Sequence, residues 1–509
     1  MSTSASVDTV SYWIDSESLP RFPRLARDEH VDVAIVGGGI TGLTAAYLLA
    51  RAGRSVAVLE RDRCARIDTG HTTAHVTMVT DMRLSELVKA FGREHAQATW
   101  DAGLAAIGQI EDIARRENIE CRFAWVPNYL HLPRVTAAKV DDVDFREEAS
   151  LASDLGFDAA LEPEVPFIGR PGIRYDGQAR FHPRMYLAGL VRAIQAAGGR
   201  IYEHSEVREF CDEPLSVKAN DCTITCNDVF IATHTPLTGN TNIALATLFQ
   251  TKLALYSSYV VAGQAPSGRV PDALFSDTAD PYHYLRVNPG RDYDVVIFGG
   301  EDHKTGQATD TAACFSRLEH KLKELVPGIK VTHHWSGQVI ETYDGLPYLG
   351  SNKEHQYIAT GFAGNGMTFG TLAGMMARDA VLGRRNPWDE LFDTGRTKIK
   401  GGVWDYLKEN IDYPYYMLRD RIVGPEAKTL REVGRGTGKI VDLKGKRVAA
   451  YRSDAGRVTL LSAVCTHMGC NVDWNEAEST WDCPCHGSRF KPTGEVLSGP
   501  AESPLEKLP

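Results

Sequence analysis

Residues Val31–Glu60 read VDVAIVGGGITGLTAAYLLARAGRSVAVLE, and this stretch decides the fold. VDVAIV is a short, wholly apolar, β-branched run, the pattern of a strand buried on both faces in a parallel sheet. A glycine-rich turn follows. ITGLTAAYLLARAG then has the alanine and leucine content of a helix, stopped by Gly53, and SVAVLE is the next strand. One strand–helix–strand unit of this kind opens a doubly wound sheet. Gly37, Gly39 and Gly42 make G-x-G-x-x-G between strand and helix, and Glu60 closes the second strand. Glycines there let backbone N–H groups approach a pyrophosphate at the helix N-terminus, and an acid at the strand end accepts hydrogen bonds from ribose hydroxyls. The pattern points to a dinucleotide without distinguishing FAD from NAD.

Further along, RMYLAGLVRAIQAAGG reads as a helix, RIYEHSEV as a strand and TITCNDVFIATH as a hairpin arm ending in a buried strand. Leu84 to Asn118 is helical and charged. Residues 250–300 are rich in Tyr, Val and Phe, which suggests an antiparallel sheet. QYIATGFAGNGMTFGTLAGMMARDAVLG returns to strand, glycine turn and helix, so the first domain is expected to be discontinuous, with a sheet-and-helix unit inserted into it. The turn Gly361–Gly370 has a different spacing and no acid-tipped strand after it, and it opens a helix whose dipole can face an anion. Residues 391–425 lack a core period and read as a connecting arm; from about 426 short strands and turns take over. The expected division is 1–390, an oxidoreductase domain with its inserted substrate unit, then the arm, then a small β domain over 426–509.

The chain has 509 residues, 43% hydrophobic and 24% charged, ordinary for a globular protein. Its 56 lysines and arginines against 66 acids give a net charge of −10, which argues against a nucleic-acid partner. No apolar run is long enough to span a bilayer. The N-terminus, MSTSASVDTVSYWIDSESLP, has neither a basic start nor an apolar stretch, so a cytoplasmic protein without a secretory signal is expected.

Four of the ten cysteines crowd into the last 45 residues: Cys465, Cys470, Cys483 and Cys485. They stand beside histidines in CTHMGC and CPCHGS, which reads as a metal site in one terminal module. Cys-x-His and Cys-x-x-His supply two thiolates and two imidazoles, the set of a 2Fe–2S centre with sulfur ligands on one iron and nitrogen ligands on the other. Zinc takes the same ligand types, but six candidate ligands exceed one tetrahedral ion, and zinc motifs pair like with like.

The N-terminal turn, Arg180-Phe181-His182-Pro183, the segment QVIETYDGLP at 338–347 and GFAGNGMTFG resemble the D-amino-acid-oxidase superfamily of FAD oxidoreductases over roughly residues 10–385. Within it the likeness is to the glycine/sarcosine oxidase and gamma-glutamylputrescine oxidase type. The resemblance implies FAD, oxidation of a C–N bond of an amine or amino acid by hydride transfer, and contacts from Gly37, Gly39, Gly42, Glu60, Gly366, Met367 and Thr368. Sarcosine-oxidase-like members use a lysine in the glycine turn to hold the substrate carboxylate; Thr368 stands there, so an amine without an α-carboxylate fits as well. Tyr284, Arg286 and His303, with Glu301, are the expected substrate-pocket and catalytic residues. His71 and His75 lie where the chain passes the flavin in that superfamily, some of whose members attach FAD through histidine.

The double box resembles a Rieske domain of the subtype found in cytochrome bc complexes, over about residues 426–509. The resemblance assigns Cys465 and Cys483 to one iron and His467 and His486 to the other, and pairs Cys470 with Cys485 in a disulfide. It makes Gly499-Pro500-Ala501 the loop shielding the cluster and Ser488 a hydroxyl donor to a bridging sulfide. High-potential members carry a tyrosine where this chain has Phe490, so one hydrogen bond to sulfur is missing and a lower potential is expected.

FAD takes two electrons as hydride and a Rieske cluster carries one at a time, so the fusion implies an amine or amino-acid dehydrogenase discharging to an outside one-electron acceptor: a quinone, a cytochrome or a ferredoxin-like protein. The alternatives are an NAD(P)H-dependent reductase feeding a partner oxygenase, against which the missing second dinucleotide turn speaks, and a non-catalytic redox sensor.

Overall fold

The computed structural model describes residues 10–135, 137, 139–237, 253–308, 310–396, 426–427, 429–443, 445–467 and 469–509. The expected connecting arm lies, from residue 397 on, outside the described residues.

The strand Glu29–Val36 is the centre of the first sheet, parallel to Val56–Leu59 on one side and to Cys222–Ile231 on the other. Its register sets Val36 beside Leu59 and Ile231, so three strand ends that are far apart in sequence open onto one crevice. Gln356–Thr360 and Arg200–Tyr202 extend the sheet in parallel, and Tyr348–Lys353 closes one edge antiparallel. The helix Ile40–Arg51 is buried along nearly its whole length because it packs on the sheet and against the helices Pro183–Ala196 and Gly366–Val381. This is the discontinuous domain that the alternation of strands and helices implied.

The inserted unit is a nine-stranded sheet built on the long strands Leu253–Ala265, Asp294–Lys304 and Lys330–Thr342. It is antiparallel except where Leu274–Asp277 runs parallel to Ala124–His131, a pairing made possible by the long connection between them. Two local readings change. The stretch read as one strand, RIYEHSEV, is divided: Arg200–Tyr202 lies at one edge of the first sheet, and after His204 at φ +50 the strand Val207–Asp212 pairs with Leu215–Ala219 in an antiparallel arm of that sheet. The helical stretch after Leu84 breaks at Gly92 (φ +88) into Leu84–Phe91 and Arg93–Arg116.

The C-terminal residues form a three-stranded sheet (Thr437–Leu443, Lys446–Arg452, Val458–Ser462) and a four-stranded sheet from Asp473 to Ser498. Trp481, Phe490 and Val472 are fully buried in their shared core. The two cysteine–histidine segments are the loops that leave Ser462 and Asp482. Among the described residues no helix is long and apolar enough to cross a membrane.

Candidate functional site

Gly37 ends the first strand at φ +110, and a Cβ there would lie 2.4 Å from the carbonyl oxygen of Ala232, so the turn accepts only glycine. The Gly38 N–H donates to Oε2 of Glu60 (2.8 Å) and the Asp62 N–H to Oε1 (2.8 Å). Burial pushes the Glu60 carboxyl above the usual carboxylate range, against the pull of these two N–H groups. The turn opens into a cavity of about 980 Å³ lined by Gly37, Gly39 and Glu60 at one end and by Gly366 and Met367 at the other. A volume at the upper end for cofactor sites, with glycine N–H groups and a carboxylate at one end and a helix N-terminus at the other, fits an extended FAD. Gly42 and Thr368 stand outside the lining. Gly42 lets the helix approach the turn, since a Cβ would meet the Gly37 oxygen at 2.0 Å. The Thr368 hydroxyl donates to the Thr77 carbonyl (2.9 Å), tying the segment Thr77–Asp81 to the glycine turn.

His71 and His75 both line the cavity. Burial lowers both imidazoles, His75 to about 3 with Arg286 adding to the effect, so His75 is neutral at physiological pH. Arg286 itself is fully buried beneath them rather than in the cavity. Its guanidinium donates to the carbonyls of Ala74 (2.5 Å), Thr73 (3.3 Å) and Phe181 (3.2 Å) and lies 5.3 Å from the Trp13 ring centre. It braces the loop that carries the two histidines.

Of the expected pocket residues, Tyr284 lines the cavity, whereas Arg286, Glu301 and His303 do not. Glu301 turns to the helix Thr311–Leu325 and pairs with Arg317 (2.6 Å) and Lys321 (2.8 Å), and His303 stacks on Tyr259 at 5.4 Å. The residue between them faces inward. The strand slips register opposite Ser258, with Gly300 at φ +148 and Glu301 at φ +60, and this bulge presents Asp302 to the cavity. Ser258 Oγ donates to Asp302 Oδ1 (2.5 Å) and touches Tyr284 Oη (2.5 Å), while Tyr282 Oη donates to Asp81 Oδ2 (3.3 Å). Burial pushes the Asp81 carboxyl up to about 6 and, with the help of neighbouring Asp81, the Asp302 carboxyl up to about 7. Sequence reasoning missed Asp81, Asp302, Ser258 and Tyr282. The Gly299-Gly300 pair inside a strand was the available signal for the bulge.

At the C-terminal end Cys470 and Cys485 are joined by a disulfide. Cys465 and Cys483 stay outside it, both buried, and their side chains lie within hydrogen-bonding reach of each other. The rings of His467 and His486 are 4.9 Å apart, edge to face. Two thiols and two imidazoles converging from two cross-linked loops fit the Cys₂His₂ set of a Rieske cluster. Ser488 is fully buried and its Oγ accepts from the Ala501 N–H (3.1 Å), which holds the loop Gly499-Pro500-Ala501 against the ligand loop.

These loops sit on the first cavity. Gln338, which lines it, donates from Nε2 to the Gly487 carbonyl (2.8 Å), and Gln307 donates to the Pro484 carbonyl (3.1 Å). Gly487, at φ +70, comes so close to the inserted sheet that a Cβ would lie 2.6 Å from Cβ of Leu255. Thr311 donates to Asn475 (2.8 Å) and Arg61 to the Leu497 carbonyl (2.7 Å). Glu478, held by Arg489 (2.5 Å) and by Ser336, completes the seam. Gly499, Ala501, Ser503 and Pro504 line the same cavity as the dinucleotide turn.

Residues 32–380 match the FAD dependent oxidoreductase (DAO) family, and residues 426–509 match the Rieske 2Fe–2S domain. The chain is similar to the putative Rieske 2Fe-2S iron-sulfur protein YhfW of Bacillus subtilis, 32% identical over 98% of this chain and 97% of that one. It is 22% identical to the gamma-glutamylputrescine oxidoreductase of Escherichia coli, over 81% of this chain and 99% of that protein. Its fold is similar to that of glycine oxidase from Geobacillus kaustophilus, with a TM-score of 0.59 and 19% identity over 72% of this chain and 99% of the other.

Proposed function

The chain belongs to the DAO family of FAD-dependent oxidoreductases, with a Rieske 2Fe–2S domain behind the flavin domain, and from that premise we propose that it is a dehydrogenase of amines or amino acids that hands electrons singly to an outside acceptor. FAD supplies hydride acceptance from the C–N carbon, and the cluster supplies one-electron carriage. Gly37, Gly39, Glu60, Gly366 and Met367 hold the cofactor, with Gly42 and Thr368 fixing the two turns around it. Cys465, Cys483, His467 and His486 hold the cluster, and the disulfide keeps their loops together.

The observation that carries the reading is the bond from Gln338 to Gly487, the residue after His486: one side chain touches both the flavin cavity and a cluster loop. A domain tethered for some other purpose has no reason to bury its ligand loops there. The acceptor is a quinone, a cytochrome or a ferredoxin-like protein meeting the outer face of the C-terminal domain. At the substrate end Tyr284, Tyr282 and Ser258 position the reacting amine, and Asp302, with its carboxyl near neutrality, takes up the ammonium proton.

The test uses His486→Ala. Substrate found by anaerobic bleaching of the flavin with a panel of amines and N-methyl amino acids should still bleach this variant. Steady-state turnover with a bulky protein acceptor should collapse. Normal turnover with that acceptor overturns the proposal.

A further inference from the structure

Acids outnumber cations at the substrate end of the cavity: Asp81, Asp141, Glu148, Asp277, Asp280 and Asp302 all line it, and Asp141, Asp280 and Asp277 already have partners in Arg83, Lys139 and His283. Asp81 and Asp302 both line it, each held by a single hydroxyl group, Tyr282 and Ser258 respectively. Arg83 is the arginine of this end among the described residues, and it is already taken by Glu86 (2.6 Å) and Asp141 (3.5 Å). The remaining arginines of the lining either follow Glu60 in the chain or, like Arg208, pair with acids near it. The nearby imidazoles of His71 and His75 are held neutral by burial.

Asn128 and Thr278, each 5% exposed, line the same cavity, and Oδ1 of the first and Oγ1 of the second have no hydrogen-bond partner. Buried polar atoms are ordinarily satisfied, so the Asn128 oxygen awaits a donor, and the Thr278 hydroxyl can accept from one as well. A substrate carboxylate brings only acceptors, and among the described residues no unpaired arginine stands at this end to meet it. An ammonium group brings three donors and a charge opposite to both aspartates.

We propose that this end of the cavity, lined by Asp81, Asp302, Tyr282, Tyr284, Asn128 and Thr278, recognises an amine that carries a second positive charge and no carboxylate, a diamine or polyamine. The inference rests on the amine-oxidising reading and narrows its substrate class. The Tyr282 hydroxyl touches Asp81, and the Tyr284 hydroxyl meets the Ser258 that holds Asp302, so both tyrosines stand beside the carboxylates. One aspartate meets the reacting amine and the other the distal ammonium.

Cadaverine, pentylamine and δ-aminovalerate have the same length of chain and differ only in the distal group. Anaerobic titration of the full holoprotein with each, followed in the flavin absorbance, reads both binding, as a band shift, and oxidation, as bleaching. Cadaverine should half-saturate at a concentration roughly tenfold or more below that of pentylamine, the worth of one partly buried charge pair, and δ-aminovalerate should bind more weakly than either. In Asp81→Asn and Asp302→Asn, with flavin and cluster spectra retained, the preference for cadaverine should fall to within about threefold. Equal response to all three probes, tighter binding of δ-aminovalerate, or a preference unchanged in both variants overturns the cation site. A selective band shift by cadaverine without any bleaching leaves the cation site standing and sinks the amine-oxidising reading.

Discussion

The side-chain amide of Gln338 donates to the carbonyl of Gly487 at 2.8 Å, across the seam between the flavin cavity and the cluster loops. Both residues are largely buried, and Gln338 is 6% exposed. Gln338→Leu keeps the volume and removes the donor, leaving a buried carbonyl unsatisfied at about 1–3 kcal/mol. The docking of the ligand loop should loosen while both halves stay folded. Hydrogen exchange should rise in the segment Cys483–Ser488, and turnover with the protein acceptor should fall although anaerobic flavin bleaching does not. Unchanged exchange in that segment refutes the assigned role.

Gly39 offers the cleanest test of the cofactor turn. A Cβ at Gly42 would strike the Gly37 oxygen at 2.0 Å and disturb the helix itself, whereas one at Gly39 meets only the Thr69 hydroxyl at 2.9 Å. Gly39→Val should therefore give a folded protein that binds iron and lacks yellow colour, because the bulk stands where the pyrophosphate approaches. Glu60→Gln should lose less, since the amide oxygen still accepts. The flavin-to-iron ratio of purified protein decides it, and full flavin in the Gly39→Val protein refutes the assignment.

The parts that were legible in the sequence are the parts specified by short-range spacing. Three glycines and an acid within Gly37–Glu60 fix a turn between a strand and a helix, and four cysteines and two histidines within Cys465–His486 fix a ligand box. The substrate end was not legible, because Asp302 reaches the cavity through a bulge that inverts the alternation: Glu301 and His303 face away and the residue between them faces in. Arg286 looked like a pocket cation and is instead the brace of the loop Thr73–Ala74, a distinction that depends on sheet packing. The seat of the cluster loops on the cavity depends on the approach of Gly487 to Leu255, residues far apart in the chain, and no local pattern encodes it.

The disulfide and the ligating cysteines should separate by mutation. Cys470 and Cys485 are 15 residues apart, and closing a loop of that length stabilises by about 3 kcal/mol in the chain-entropy account. Cys470→Ser or Cys485→Ser should assemble a cluster with the mixed-ligand spectrum and lose it faster on warming. Cys465→Ser or Cys483→Ser should assemble none. Equal and complete loss in all four proteins, by iron content and visible spectrum, denies the division of roles.

Ser488 and Phe490 should tune the cluster in opposite directions. The Ser488 oxygen accepts from the Ala501 N–H, which leaves its own hydrogen to donate. Ser488→Ala removes that donor and should lower the midpoint potential; Phe490→Tyr adds one and should raise it. Each shift should be tens of millivolts, since roughly 59 mV corresponds to a tenfold change in a one-electron equilibrium. Redox titration followed by the cluster's spectrum reads both, and shifts of the same sign in the two variants contradict the assignment.

The carboxyl of Asp302 makes the substrate end unstable in its ionised form, and pH exposes this. Burial, with Asp81 beside it, raises the carboxyl to about 7 from an ordinary 3.8. A group raised in this way holds its proton more tightly in the folded protein than in the unfolded chain, so low pH favours folding. The stability it contributes is present in full below about pH 4 and is lost as pH rises through about 7. Asp302→Asn removes the titration and keeps the shape. It also weakens the bond from Ser258, a loss of about 1 kcal/mol that does not vary with pH. The difference in unfolding free energy between Asp302→Asn and wild type should therefore start slightly negative near pH 4, climb steadily, turn positive and flatten above pH 7, with a total swing of a few kcal/mol, and the difference in melting temperature should follow the same course. Other titrating groups are common to both proteins and cancel in the difference. Thermal unfolding of the two holoproteins in parallel across this range reads the swing. A difference that stays flat, or falls as the pH rises, shows that Asp302 is not a buried carboxyl held against its preferred charge.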